Sequence, residues 1–492
     1  MRNEKALYAL SLAIILLIAP LTYSQCPPLY TFTGDPTYYD GFGEQVAIIG
    51  DINDDGYGDF IIAANHKRVN GGDVTGQVYV YSGRTGEILY VFTGEAPGDH
   101  FGSSISSAGD FDGDGIVDIL VGAYHNDDVA FHSGKAYVFS GQSGALLHTF
   151  TGQVELDNLG YSVASAGDVN NDGIDDLIIF SKSKVYVFSG QTGDTIHVFI
   201  PEPVGGLFGG QVASAGDVDN DGYDDLIIGA PGTDDSVLGS STGKAYIISG
   251  QTGAIIYSLT GESDFDYFGT SVSSAGDINK DGYNDVIIGA PGYRTTDLPS
   301  VGRAYVYSGM DGSNLYTFTG TGFSEELGYR VASAGDIDGD SYDDLLIGTD
   351  SWMPNGRAYL ISGKTGELIK TYHGTSDNQI LGQAISAAGD INNDGIMDVI
   401  LGDYAYIWPK GQAVVFLSST LCVGTRGDVN GDGNDANILD LTSLVDFIFR
   451  GGTESTCIDE ADINSDGTPS NILDLTFLVD FIFRGGPAPG PC

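Results

Sequence analysis

The sequence predicts a mainly β chain: a ring of seven four-stranded repeats, the architecture of a β-propeller, with calcium-binding loops, followed by a small α-helical module. Three observations predict it. An acidic loop begins at Asp51, Asp110, Asp168, Asp217, Asp277, Asp336 and Asp390, a mean spacing of about 56 residues that calls for a repeat architecture. Each repeat holds about four short strand-like runs separated by glycine-containing turns. The repeat region also opens on a strand with no repeat before it, and its seventh repeat lacks the matching strand.

The fourth copy shows the chemistry of the loop. In GDVDNDGYDDLIIGAPG, Gly216–Gly232, Asp217, Asp219, Asp221 and Asp225 crowd carboxylates that disfavour one another's ionised form. A hard divalent cation answers this, because Ca²⁺ accepts a flexible cage of oxygens at about 2.3–2.6 Å. Gly222 supplies the positive φ that turns the chain, Tyr223 offers its carbonyl, and Asp225 closes the cage before the apolar strand Leu226-Ile227-Ile228. Every other copy keeps the four side-chain positions: Asp51, Asn53, Asp55, Asp59; Asp110, Asp112, Asp114, Asp118; Asp168, Asn170, Asp172, Asp176. The remaining sets are Asp277, Asn279, Asp281, Asp285; Asp336, Asp338, Asp340, Asp344; and Asp390, Asn392, Asp394, Asp398. Only the sixth loop departs, with Ser341 in place of the glycine.

Ahead of each loop stands an aromatic residue or leucine followed by glycine: Phe42-Gly43, Phe101-Gly102, Leu159-Gly160, Phe208-Gly209, Phe268-Gly269, Leu327-Gly328 and Leu381-Gly382. After the loop come a strand such as Val286-Ile287-Ile288 and then Gly289-Ala290-Pro291. The third strand is typified by Ala136-Tyr137-Val138-Phe139 and the fourth by Leu147-His148-Thr149-Phe150. FG, the D-x-D-x-D-G-x-x-D loop and GAP in this order resemble the FG-GAP repeats of the integrin α-chain propeller, over roughly Pro27 to Ser419. The resemblance implies a seven-bladed β-propeller with calcium loops on one face. The third repeat has Phe180-Ser181 where GAP would stand, which leaves the length of its following loop open.

Closure is read from the ends. Leu29-Tyr30-Thr31-Phe32-Thr33-Gly34 is a fourth-strand sequence without its own blade, whereas the chain leaves the seventh repeat after Ala413-Val414-Val415-Phe416. The N-terminal strand is therefore expected to complete the last blade and remove an exposed sheet edge. Cys26 and Cys422 flank that seam, so a Cys26–Cys422 bond with Cys457–Cys492 in the tail is one pairing; a Cys422–Cys492 clasp is its rival.

Composition points to an exported, metal-loaded protein. The formal net charge is −47, which disfavours nucleic acid, and the carboxylates recur with the loops rather than covering a surface evenly. Arg2 and Lys5, an apolar run to about Leu21 and the small residues before Cys26 have the layout of a secretory signal peptide, residues 1–24; a retained anchor is the alternative. No stable membrane insertion is expected after cleavage. The propeller is then assigned to residues 25–421 and a second domain to 422–492.

That second domain contains two near-copies, GDVNGDGNDANILDLTSLVDFIFRGG from Gly427 and ADINSDGTPSNILDLTFLVDFIFRGG from Ala461. Leu441, Leu444, Val445 and Ile448 follow helical spacing, and Gly451-Gly452 stop the helix. The tandem resembles type I dockerin modules. The resemblance implies calcium ligands Asp428, Asn430, Asp432, Asp440 and Asp462, Asn464, Asp466, Asp474, and a cohesin-like receptor as partner. Both loops carry one extra residue before the closing aspartate. Ile438-Leu439 and Ile472-Leu473 serve either that partner or the packing of the two units.

Catalytic motifs are missing from the sequence: it has no H-E-x-x-H, no G-x-S-x-G and no phosphate loop. His66, His100 and His125 fall in inter-strand loops of the first two repeats and read as scattered surface histidines. Arg426-Gly427-Asp428 spells an integrin-ligand tripeptide, but Asp428 is wanted as a calcium ligand. The expected function is a calcium-rigidified adhesion or interaction protein that binds an extracellular protein or glycan. A polysaccharide-active enzyme of a cohesin–dockerin assembly is the alternative.

Overall fold

The computed structural model describes residues 28–418 apart from 36, 70, 71, 73, 183, 201–209, 352–355, 374–379 and 404–410, together with Leu441, Leu444, Val445, Leu475, Leu478, Val479 and Ile482. The expected signal segment, all four cysteines, Phe208-Gly209 and the expected tail loop ligands lie outside the described residues.

The described strands form seven antiparallel four-stranded sheets. A lone strand, β1 (Tyr30–Thr33), comes first. Blade 1 then runs β2 (Phe42–Gly50), β3 (Asp59–Ala64), β4 (Gln77–Tyr81) and β5 (Ile88–Thr93). Blade 2 is β6 (Ser104–Gly109), β7 (Asp118–Ala123), β8 (Lys135–Phe139) and β9 (Leu146–Thr151). Blade 3 is β10 (Ser162–Gly167), β11 (Asp176–Ser181), β12 (Lys184–Phe188) and β13 (Thr195–Phe199). Blade 4 is β14 (Val212–Gly216), β15 (Asp225–Ala230), β16 (Lys244–Ile248) and β17 (Ile255–Thr260). Blade 5 is β18 (Val272–Gly276), β19 (Asp285–Ala290), β20 (Arg303–Tyr307) and β21 (Asn314–Thr319). Blade 6 is β22 (Arg330–Gly335), β23 (Asp344–Gly348), β24 (Arg357–Ile361) and β25 (Leu368–His373). Blade 7 contributes β26 (Ala384–Gly389), β27 (Asp398–Asp403) and β28 (Gln412–Phe416), and β1 pairs with β28 to complete it.

The second strand of each blade is buried along its whole length, as its run of apolar residues requires, while the fourth is mostly exposed or half-buried, with single buried rings at Phe92, Phe150 and Tyr372. Apolar side chains pack between neighbouring blades, so the core is a ring of inter-blade layers; one joins Ile49, Ile61 and Val80 of blade 1 to Ile119 and Val121 of blade 2. Such a ring is stable only when closed, because an open end would leave one layer uncovered.

The third repeat resolves the question its sequence left open. β11 ends at Ser181 and β12 begins at Lys184, and these two residues pair, so the missing GAP coincides with a connection only two residues long. The compact propeller unit runs Pro27–Leu421. Beyond it, Leu441, Leu444, Val445, Leu475, Leu478, Val479 and Ile482 are helical, with Leu444 and Leu478 buried. No helix among the described residues is long and apolar enough to cross a membrane.

Candidate functional site

Each acidic loop connects the first two strands of a blade and is pinned at both ends by a ladder pair, Gly216 with Asp225 in blade 4 and Gly50 with Asp59 in blade 1. Inside the loop the first aspartate folds the backbone around itself: Asp217 Oδ1 accepts from Asp221 N at 3.0 Å and Oδ2 from Gly222 N at 2.9 Å. Asp221 Oδ1 in turn accepts from Tyr223 N at 3.0 Å. The same bonds recur around Asp51, Asp168 and Asp390.

The closing aspartate has a second task that sequence reasoning missed. Asp225 is fully buried and accepts from Val218 N at 2.8 Å through Oδ2 and from Gly250 N at 2.9 Å through Oδ1. It therefore ties the loop to the end of the third strand as well as facing the cage. Burial pushes these carboxyls up, to about 6 at Asp59 and Asp118 and about 7 at Asp176, Asp225, Asp285, Asp344 and Asp398. Neighbouring loop carboxylates push the same way, and the backbone N–H bonds oppose them.

The donor sets suit a hard cation. In three loops, carboxylate oxygens of Asp110, Asp112 and Asp118, of Asp217, Asp219 and Asp225, and of Asp336, Asp338 and Asp344 lie within 4.8 Å of one another. Asn170 Oδ1 and Asp336 Oδ1 are buried without a hydrogen-bond partner, so oxygens face inward with no donor to satisfy them. Three pairs of adjacent loops are also joined through their backbones: Gly58 N donates to Asp390 O at 2.7 Å, Asp224 N to Asp168 O at 3.3 Å and Asn284 N to Asp217 O at 3.0 Å.

Because the strands of each blade alternate in direction, these loops share one face with the hairpins between the third and fourth strands. The opposite face carries the connections between the second and third strands and those between blades. There the structure corrects one expectation: His66, His100 and His125 are not scattered. Their rings form a chain, with centroids 4.9 Å apart for His66–His100 and 5.0 Å for His100–His125, and His132, which the sequence reading passed over, stacks on His125 at 3.9 Å. Burial lowers His66 and His100 and holds His125 down to about 4. The signal was available, since His66 and His125 occupy equivalent positions after the second strands of adjacent repeats.

Sequence comparison agrees with this repeat geometry. Residues 101–139, 159–188, 208–248 and 268–307 match the FG-GAP repeat family, and residues 336–401 match the FG-GAP-like repeat family. The chain carries FG-GAP repeats. Blade 1 lies outside the matched segments and blade 7 lies partly within them, and both share the four-stranded plan. Among similar proteins, integrin alpha-5 of Xenopus laevis is 31% identical over 216 residues, covering 39% of this chain and 20% of that protein. Integrin alpha-IIb of Homo sapiens is 30% identical over 165 residues, 30% of this chain and 16% of the relative. Integrin alpha-PS2 of Drosophila melanogaster is 34% identical over 170 residues, 32% and 12% respectively. The match thus spans a fifth or less of the length of these relatives.

Proposed function

We propose that this protein is a secreted, non-catalytic adhesion module whose acidic loops hold calcium and whose opposite face binds an extracellular protein or glycan. The observation that carries the reading is where aromatic rings are left exposed. Phe131, Tyr161, Phe265, Tyr267 and Phe323 are all exposed and all belong to connections or strand starts on the face away from the acidic loops, whereas the acidic-loop face exposes aliphatic side chains such as Ile88, Leu146 and Ile255. Exposed aromatic residues gathered on one face mark an interaction surface. Calcium fits the reading because the loops offer only oxygen donors, the preference of that ion. The tail, residues 422–492, is proposed to fold around calcium and dock to a cohesin-like receptor. Testing the calcium-loaded protein on arrays of extracellular-matrix proteins and glycans, alongside a Phe265→Ser, Tyr267→Ser variant, decides the first claim. Equal binding by parent and variant to every captured ligand would remove this face from the proposal.

One observation favours a second reading, a polysaccharide-active enzyme. On the same face, burial and the nearby charge of Asp350 push Glu326 up to about 7, a value suited to a proton-transfer group. Incubation with a panel of neutral and acidic polysaccharides, followed by reducing-end and unsaturated-product assays, separates the two readings.

A further inference from the structure

We propose that the row of aromatic rings running from Tyr39 to Tyr161, on the face opposite the acidic loops, is a binding track for an uncharged oligosaccharide. The inference rests on the reading of that face as a binding surface and names the class of ligand it takes. Tyr39 precedes β2, His66 follows β3, His100 lies between β5 and β6, Tyr124 follows β7 and Tyr161 precedes β10, so the row crosses blades 1, 2 and 3. Its ring centroids are spaced 5.2, 4.9, 5.8 and 5.3 Å in that order. Tyr39 and Tyr161 at the two ends are exposed, and the three rings between them are half-buried.

Repetition shows that the fold does not require these rings. After their second strands, blades 4 and 5 carry Pro231-Gly232 and Pro291-Gly292 where blades 1 and 2 carry Asn65-His66 and Tyr124-His125. Where blade 3 has Tyr161, blades 4 and 5 have Gly210 and Thr270. Every blade meets the same packing demand, so side chains confined to a few neighbouring blades serve something other than the fold.

Polar groups converge beside the rings. A Cβ built on Gly41 would lie 2.2 Å from Asn65 Oδ1, 3.0 Å from the His66 ring and 3.1 Å from Glu44 Oε2, so these three groups close on one spot. Asn65 is only 5% exposed and its Oδ1 has no hydrogen-bond partner, and His100 Nδ1 is likewise buried and unpartnered. Buried polar atoms in that state call for a partner. The Tyr39 hydroxyl donates to Glu44 Oε2 at 3.3 Å, and that oxygen stands 3.8 Å from His66 Nε2, which fixes a carboxylate at the edge of the row.

The chemistry selects a sugar. Tyrosine and histidine present a flat ring face with a polar edge, so the faces stack on the C–H side of a pyranose while the edges meet its hydroxyls. Burial lowers His66 and His100, so these imidazoles are neutral at pH 7, each with one N–H donor and one acceptor nitrogen; a hydroxyl group both accepts and donates in return. The net charge of −47 repels uronate-bearing or sulfated chains. A peptide anchor is held in a well-packed, desolvated pocket, whereas this row carries a polar atom on every ring.

The test screens the full chain in millimolar calcium on an array of neutral and uronate-bearing oligosaccharides, then titrates the strongest neutral hexasaccharide by calorimetry at pH 7.5. About one equivalent should bind, and the trisaccharide of the same sugar should bind at least tenfold more weakly, because it covers only part of the row. Tyr161→Ala and His100→Asn should each weaken the hexasaccharide at least tenfold. Asn158 adopts the same φ of 53° as His100, so His100→Asn preserves the turn. Both variants should still unfold in one cooperative transition in calcium, which separates lost binding from lost folding. No binding of the parent to any neutral sugar, binding confined to uronates, or undiminished binding by both variants overturns the proposal. Capture of proteins alone, lost in Phe265→Ser, Tyr267→Ser, would keep this face as a binding surface while overturning the sugar assignment.

Discussion

Phe32 pairs through its backbone with Ala413 of blade 7 while its ring packs on Tyr81 of blade 1, with centroids 4.4 Å apart. One residue thus closes a sheet and joins two blades. The same contact recurs at internal junctions, Phe92 on Phe139 at 4.1 Å and Phe150 on Phe188 at 4.2 Å, so the seam is built like the rest of the ring. The adjoining Tyr30 hydroxyl donates to Arg84 O at 3.0 Å, matching Tyr90 to Gln142 O at 2.8 Å.

Phe32→Ala should therefore cost about 2–3 kcal/mol in urea unfolding, less than a fully buried phenylalanine because the ring is only partly covered. Deleting residues 28–34 should do more, exposing β28 as an unpaired edge and producing aggregates by light scattering. A monomeric deletion variant as stable as the parent would show that the seam contributes nothing.

Calcium removal should lower the melting temperature steeply. Each occupied loop adds RT ln(1 + [L]/Kd), about 2.7 kcal/mol at a hundredfold excess over Kd. Backbone bonds also couple the loops of blades 7 and 1, 3 and 4, and 4 and 5. Scanning calorimetry with calcium and with excess chelator checks this, and superimposable curves would refute metal loading.

Two turn positions should respond in opposite directions. Ser341 holds φ 72° where the other loops use glycine, for example Gly222 at φ 88°. Ser341→Gly should stabilise the protein by about 1 kcal/mol by relieving a left-handed side chain. Gly269→Ala should be severely destabilising, since φ is +87° and the added Cβ would overlap the carbonyl oxygen of Lys244. Thermal melts in saturating calcium read both, and an alanine tolerated at position 269 would disprove the packing argument.

Glu326 provides a pH test. Its carboxyl ionises near 7 in the folded protein against an ordinary value of 4.5. Between these values the folded state keeps a proton that the unfolded chain has released, so the residue disfavours folding increasingly as pH rises through that window. Glu326→Gln should melt above the parent at pH 8 and together with it at pH 4. A constant offset across that range would mean that charge burial is not the cause.

The sequence alone determined the repeat number, the loop positions and the strand that closes the ring. Each of these is written locally: four oxygens within nine residues, an apolar run after them, and an unmatched Tyr30–Thr33 at the start. Tertiary structure alone decided which loops become neighbours. Alternating strand direction sends the acidic loops to one face and the blade connections to the other, and blade packing then brings His66 and His100, distant in the chain, to 4.9 Å. The double role of Asp225 was hidden for the same reason, because its partner Gly250 lies at the far end of another strand and only the folded sheet places that N–H against the carboxylate.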